Sequence, residues 1–124
     1  MYVLSHLVDA AKPGGIVLDL QVIRPKPRVE VADRVLCEIE GTRFREADAA
    51  VAAVDGLVRA GRLLEEAVDD HDVFEHYVNG AELVDDYEDS EERIPDAALP
   101  GLRRLRETCV VRERCRLRRL RVRN

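Results

Sequence analysis

Apolar positions along the chain change their spacing several times, and each change marks an expected element. Val3, Leu4, Leu7, Val8 and Ala11 recur at helical spacing, which predicts a short amphipathic helix over 2–11. Pro13, Gly14 and Gly15 stop it, because proline has no amide to donate and glycine takes up the left-handed turn. Residues 16–23, IVLDLQVI, are apolar at both odd and even positions, the pattern of an interior strand covered on two sides. RPKPR (24–28) reads as an extended connector, since its prolines bar a helix. Residues 29–39 read as a small β-hairpin, with Val29 and Val31 on one face, then Val35, Cys37 and Ile39 after Asp33-Arg34.

The clearest helix follows. Phe44, Ala47, Val51, Val54, Leu57 and Val58 form one stripe, Asp48 and Asp55 face outward, and Gly61 supplies the stop. Residues 63–78, rich in Val, Phe and Tyr near their end, predict a long strand. Asn79 with Glu82 three positions on resembles a capping box, which starts a helix containing Leu83, Val84 and Tyr87. Pro95 and Pro100 bracket a turn, and Leu99, Leu102 and Leu105 suggest a further short helix. The last segment alternates, with Cys109, Val111, Cys115 and Leu117 on one face and Val110, Arg112, Arg114, Arg116 and Arg118 on the other. After Arg118-Arg119 the apolar phase moves to Leu120 and Val122, as a β-bulge would produce. The expected fold is a mixed α/β single domain over 1–124, a small, largely antiparallel sheet with helices packed on it.

Composition narrows the class. With 46% hydrophobic and 36% charged residues the chain is globular, and no apolar run reaches the length of a membrane span. Met1 leads into YVLSHLVDAA without a basic leader, so a cytoplasmic protein is expected. Cys37, Cys109 and Cys115 are odd in number and lack a CxxC pair, which favours free buried thiols. Charge is segregated: thirteen acids and no Lys or Arg lie between Glu65 and Glu92, whereas ten arginines and two acids lie between Arg103 and Arg123. If 63–78 pairs antiparallel with 108–122, the two blocks neutralise each other across the strands. The other reading is a solvated acidic face with a basic binding face. The arginine segment lacks interleaved aromatics for base stacking, which argues against nucleic acid.

The order of these elements, with the turn Pro13-Gly14-Gly15 ahead of Ile16–Ile23, resembles the C-terminal half of a class I S-adenosylmethionine-dependent methyltransferase. The resemblance implies that Ile16–Ile23 is the fifth strand of that doubly wound fold, and that 63–78 and 108–122 are its sixth and seventh, a terminal antiparallel pair. It also implies that the family's cofactor-binding elements would precede Met1, so no cofactor residue carries over and no cofactor is expected. Gly14-Gly15 is no substitute, because it precedes a strand and has no helix dipole with which to cradle a ligand.

Other constellations add little chemistry. His71 and His76 point to opposite faces of a strand, so neither a metal nor a catalytic site is expected there. Asp69-Asp70 and Asp85-Asp86 read as surface acids, and no GxSxG or Walker loop is present. The expectation is a non-catalytic, methyltransferase-related module acting through self-association or a partner protein. Alternatives are the substrate-side subunit of a split methyltransferase, whose partner chain carries the N-terminal half, and a small-ligand binder with its pocket at a dimer interface. In the complete fold the fifth strand is paired by a fourth; without one, its edge invites a homodimer through Ile16, Leu18, Leu20 and Val22. The competing arrangement is a monomer in which the 29–39 hairpin folds back over that edge.

Overall fold

Strands carry most of the architecture. The computed structural model of the chain describes residues 11–41 and 43–123, without the side chains of 43 and 44. Residues 2–10 of the first expected helix, and the Phe44 side chain, lie outside that description. The elements run β1 (Ile16–Val31), β2 (Arg34–Glu38), α1 (Arg43–Arg59), β3 (Leu63–Tyr77), α2 (Gly80–Tyr87), a 3-10 turn (Asp96–Ala98), α3 (Leu99–Arg104) and β4 (Cys109–Val122). The four strands form one antiparallel sheet in the order β2-β1-β4-β3. The mixed α+β class is therefore as expected, and so is the pairing of the acidic β3 with the arginine-rich β4.

Contacts divide the chain into two compact units. The first comprises residues up to Ile23, Arg45–His71 and the stretch from Cys115 onward. Its core is Val54, Leu63, Leu120 and Val122, with Val17, Ala53, Leu57 and Val58 packed against them. Helix α1 ends as its glycine predicts. Gly61 sits at φ +76°, its N–H donates to Val58 O, and Arg62 N–H donates to Leu57 O, which together cap the last carbonyls in a Schellman motif.

The second unit comprises Arg24–Phe44 and Asp72–Arg114. Its core gathers Val29, Val31, Ile39, Tyr77, Leu83, Val84, Ile94, Leu102, Cys109 and Val111. Asn79 caps α2 by accepting from Glu82 N–H at 2.9 Å, while the Glu82 carboxylate accepts from Val78 N–H at 3.0 Å, one residue before the cap. Gly80 permits a close approach: a Cβ there would lie 1.9 Å from Leu102 O.

Three local expectations are corrected. RPKPR is part of β1 and not a separate connector, because a proline costs an extended edge segment only an N–H, and Pro27 O still accepts from Ile39 N–H at 2.7 Å. The hairpin register shifts between Val29 and Glu30, so Val35 stands opposite Glu30 and is exposed, whereas Ile39 is buried. In β4 the buried positions run Cys109, Val111, Cys115, then Arg118, Leu120 and Val122. The three-residue step lies ahead of Arg118, so Leu117 is exposed and Arg118 is buried, the reverse of the sequence-based assignment.

Candidate functional site

The N-terminal half of β1 is the least conventional surface of the molecule. Its inward positions follow the first unit's core: Val17 and Gln21 are half-buried, and Asp19 is only 9% exposed. Its outward positions do not. Ile16 is 41% exposed, Leu18 67% and Leu20 58%, and Val22 is half-buried. The expectation of a strand covered on two sides is thus overturned for 16–20, where leucines lie open and the one carboxylate is turned in. Apolar residues on both faces mark a two-sided covering only if something covers the second face, and sequence cannot supply that something.

One edge of this segment is taken by β4, whose end is held where Gly14 N–H donates to Val122 O and Val122 N–H donates to Gly15 O, both at 2.9 Å. Further along β1, β2 pairs with Arg28–Val31. Among the described residues, no strand pairs with the other edge over Ile16–Ile23.

At the opposite end of the strand order, β3 is an edge of another kind. Its acids are engaged by β4 arginines. Within the first unit, Arg116 Nε donates to Asp70 Oδ1 at 2.8 Å and Nη2 to Oδ2 at 3.0 Å. Arg119 and Arg121 share the Glu66 carboxylate, with Nε distances of 3.1 and 2.7 Å. Those two guanidinium groups, Arg121 foremost, hold the Glu66 carboxyl below its ordinary range. Arg118 is 4% exposed and lies between Glu65, reached from Nε at 2.8 Å and also from Nη2, and Asp55, reached from Nη1 at 2.7 Å. Asp55 keeps an outward face, with its side chain 46% exposed, and also serves as a partner for a buried guanidinium. Within the second unit, Arg112 and Arg114 both reach Asp72, at 3.5 and 3.1 Å, and Arg112 lies 4.9 Å from the centre of the Phe74 ring.

Reactive groups are quiet. None of the three cysteines is in a disulfide, and burial pushes the Cys37 and Cys109 thiols up, away from the thiolate a nucleophile needs. Tyr77 is held protonated by burial and donates to Asp86 Oδ2 at 2.7 Å. His71 Nδ1 lies 3.0 Å from Asp69, and among the described residues no cluster of His, Cys, Asp and Glu could hold a metal ion. A cleft of about 350 Å³ in the second unit is lined by Val84, Tyr87, Ile94 and Leu99 together with charged residues including Arg93 and Arg103. No described helix is long and apolar enough to cross a membrane.

Compared with protein-family models, curated proteins and solved structures, the chain matches none of them. The residues expected at an interface, Ile16, Leu18, Leu20 and Val22, are consecutive outward positions of one strand. Between them, Asp19 is visible in the sequence as the only charge of 16–23, whereas neither its burial nor the part of Gln21 was legible there.

Proposed function

We propose that this chain is a non-catalytic association module, related to the methyltransferase fold, that acts by joining a second copy of itself along β1. The observation that carries the reading is the edge of Ile16–Ile23, unpaired among the described residues, with its exposed Leu18 and Leu20. Natural edge strands are guarded by charge, and β3 is; the sole charge on 16–23 is Asp19, which is buried and guards nothing. Strand addition satisfies the free backbone groups of such an edge and covers its side chains at the same time. The relation to methyltransferases is supported by the antiparallel β3–β4 pair beside β1.

Sedimentation equilibrium at micromolar concentration tests this. A mass twice that of the 14.0 kDa chain is expected. Leu18→Lys with Leu20→Lys should give a monomer whose far-ultraviolet circular dichroism is unchanged, since both side chains are exposed before association. A wild-type mass near 14.0 kDa overturns the reading. A dimer untouched by the two lysines moves the interface elsewhere.

The same open edge favours a second reading. The resemblance puts a fourth strand there, so a separate chain carrying the cofactor half of a split methyltransferase is the rival occupant. Calorimetry separates the two: the purified chain alone should show no heat of binding with S-adenosylmethionine, and a saturable signal only with a partner chain would establish the split enzyme.

A further inference from the structure

Asp19 is 9% exposed, and its Oδ2 is shielded from solvent without a hydrogen-bond partner among the described residues. Its other oxygen accepts from Gln21 Nε2 at 2.9 Å. A carboxylate oxygen removed from water and left unpaired is costly, so the position calls for a donor beyond those the described residues bring. Gln21 has the matching surplus. Its amide nitrogen carries two N–H groups, and among the described contacts only one is used. Both residues occupy inward positions of the open edge segment, two apart in sequence.

We propose that two copies of the chain pair antiparallel along Ile16–Ile23 with the two-fold axis at Leu20, so that Gln21 of each copy donates its second amide N–H to Asp19 of the other. The proposal rests on the association reading above and specifies its register. A two-fold axis perpendicular to the sheet keeps inward positions opposite inward ones. Centred on Leu18, the pairing sets Asp19 against Val17; centred on Asp19, against a second carboxylate; centred on Gln21, against Ile23. Only the Leu20 centre sets Asp19 against a donor, and directly opposed residues have Cβ atoms about 4.5–5.5 Å apart, within reach of an amide and a carboxylate. Because the operation is two-fold, the bond forms twice and both orphaned oxygens are paired. On the outward face the same register places Leu20 against Leu20 and Leu18 against Val22, so the exposed leucines cover each other. Pro25 and Pro27, which have no N–H, lie just beyond the paired stretch.

Disulfide trapping reads the register directly. Leu20→Cys under mild oxidation should give a covalent dimer, mapped by peptide mass spectrometry to a link between the two position-20 thiols and not to Cys37, Cys109 or Cys115. Leu18→Cys should not link to itself, because in this register the two copies of position 18 are offset by four residues along the strands, beyond disulfide reach. Gln21→Leu should raise the dimer dissociation constant about tenfold or more, since two hydrogen bonds to a charged group are lost. A dimer that links efficiently at position 18 or 19 instead, or that is indifferent to Gln21→Leu, overturns this register and leaves the edge association standing. A wild-type chain that sediments as a monomer overturns both.

Discussion

Arg118 shows how far a residue's role departs from its type. Arginine favours the surface, yet this guanidinium is 4% exposed, with Asp55 and Glu65 on its donors. The two carboxylates are themselves partly open to water, so truncation strands them less severely than it would a fully buried pair. Arg118→Ala is expected to cost about 2–3 kcal/mol in urea unfolding. Arg118→Lys should recover only part of this, because an ammonium cannot span both partners as a planar fork does. Glu66 is the complementary case at the surface. Its carboxyl is held below the ordinary value of 4.5 by Arg121 and Arg119. A depressed folded value means that the stabilisation is complete above the unfolded value and is lost as the pH falls through the folded one. Acid titration of stability should therefore show a limb that begins near pH 4.5 and continues downward, and Glu66→Gln should flatten it.

At the scale of elements, the closest fit lies between α2 and α3. Gly80 N–H donates to Leu105 O at 3.0 Å, and its missing side chain leaves room for Leu102 O. A methyl group 1.9 Å from that oxygen cannot be absorbed by a side-chain rotation, since the obstacle is backbone. Gly80→Ala should destabilise the chain by about 2–3 kcal/mol, read as a lowered urea midpoint, although alanine is the better helix former. The two caps that sequence located, Asn79 and Gly61, are local devices. Each acts on backbone groups within a few residues, so the sequence window that predicts them contains all the physics they need. Gly80 differs because its constraint comes from Leu102, an element away.

For the molecule as a whole, the two sides of the strand order are the telling contrast. β3 carries Glu65, Glu66, Asp69, Asp70, Asp72 and Glu75, while Ile16–Ile23 carries only the buried Asp19. Charge on β3 pairs with β4 arginines, and by general principle a charged edge also resists joining strangers. Removing it should test that resistance. Glu66→Thr with Asp70→Thr is expected to cost little in unfolding, because exposed ion pairs are individually weak, yet to raise light scattering on prolonged incubation. Unchanged scattering would mean that β3 is protected by something other than its acids.

Sequence by itself determined the helices α1, α2 and α3 and the long strands β3 and β4, where α1 and α2 are capped, and that the acidic block meets the arginine block, but not that RPKPR continues β1. These follow from periodicity, cap chemistry and charge, which act locally or through simple complementarity. Only the tertiary structure decided which side of each strand is covered. IVLDLQVI has the same apolar pattern whether buried on two faces or open on one, and the exposure of Ile16, Leu18 and Leu20 against the buried Asp19 is what tells the two apart. The same holds for β4, where a one-residue displacement sends Leu117 outward and Arg118 inward. Alternation states that neighbours face opposite ways; packing states which of them faces the core, because burial is a property of what lies opposite and not of the residue itself.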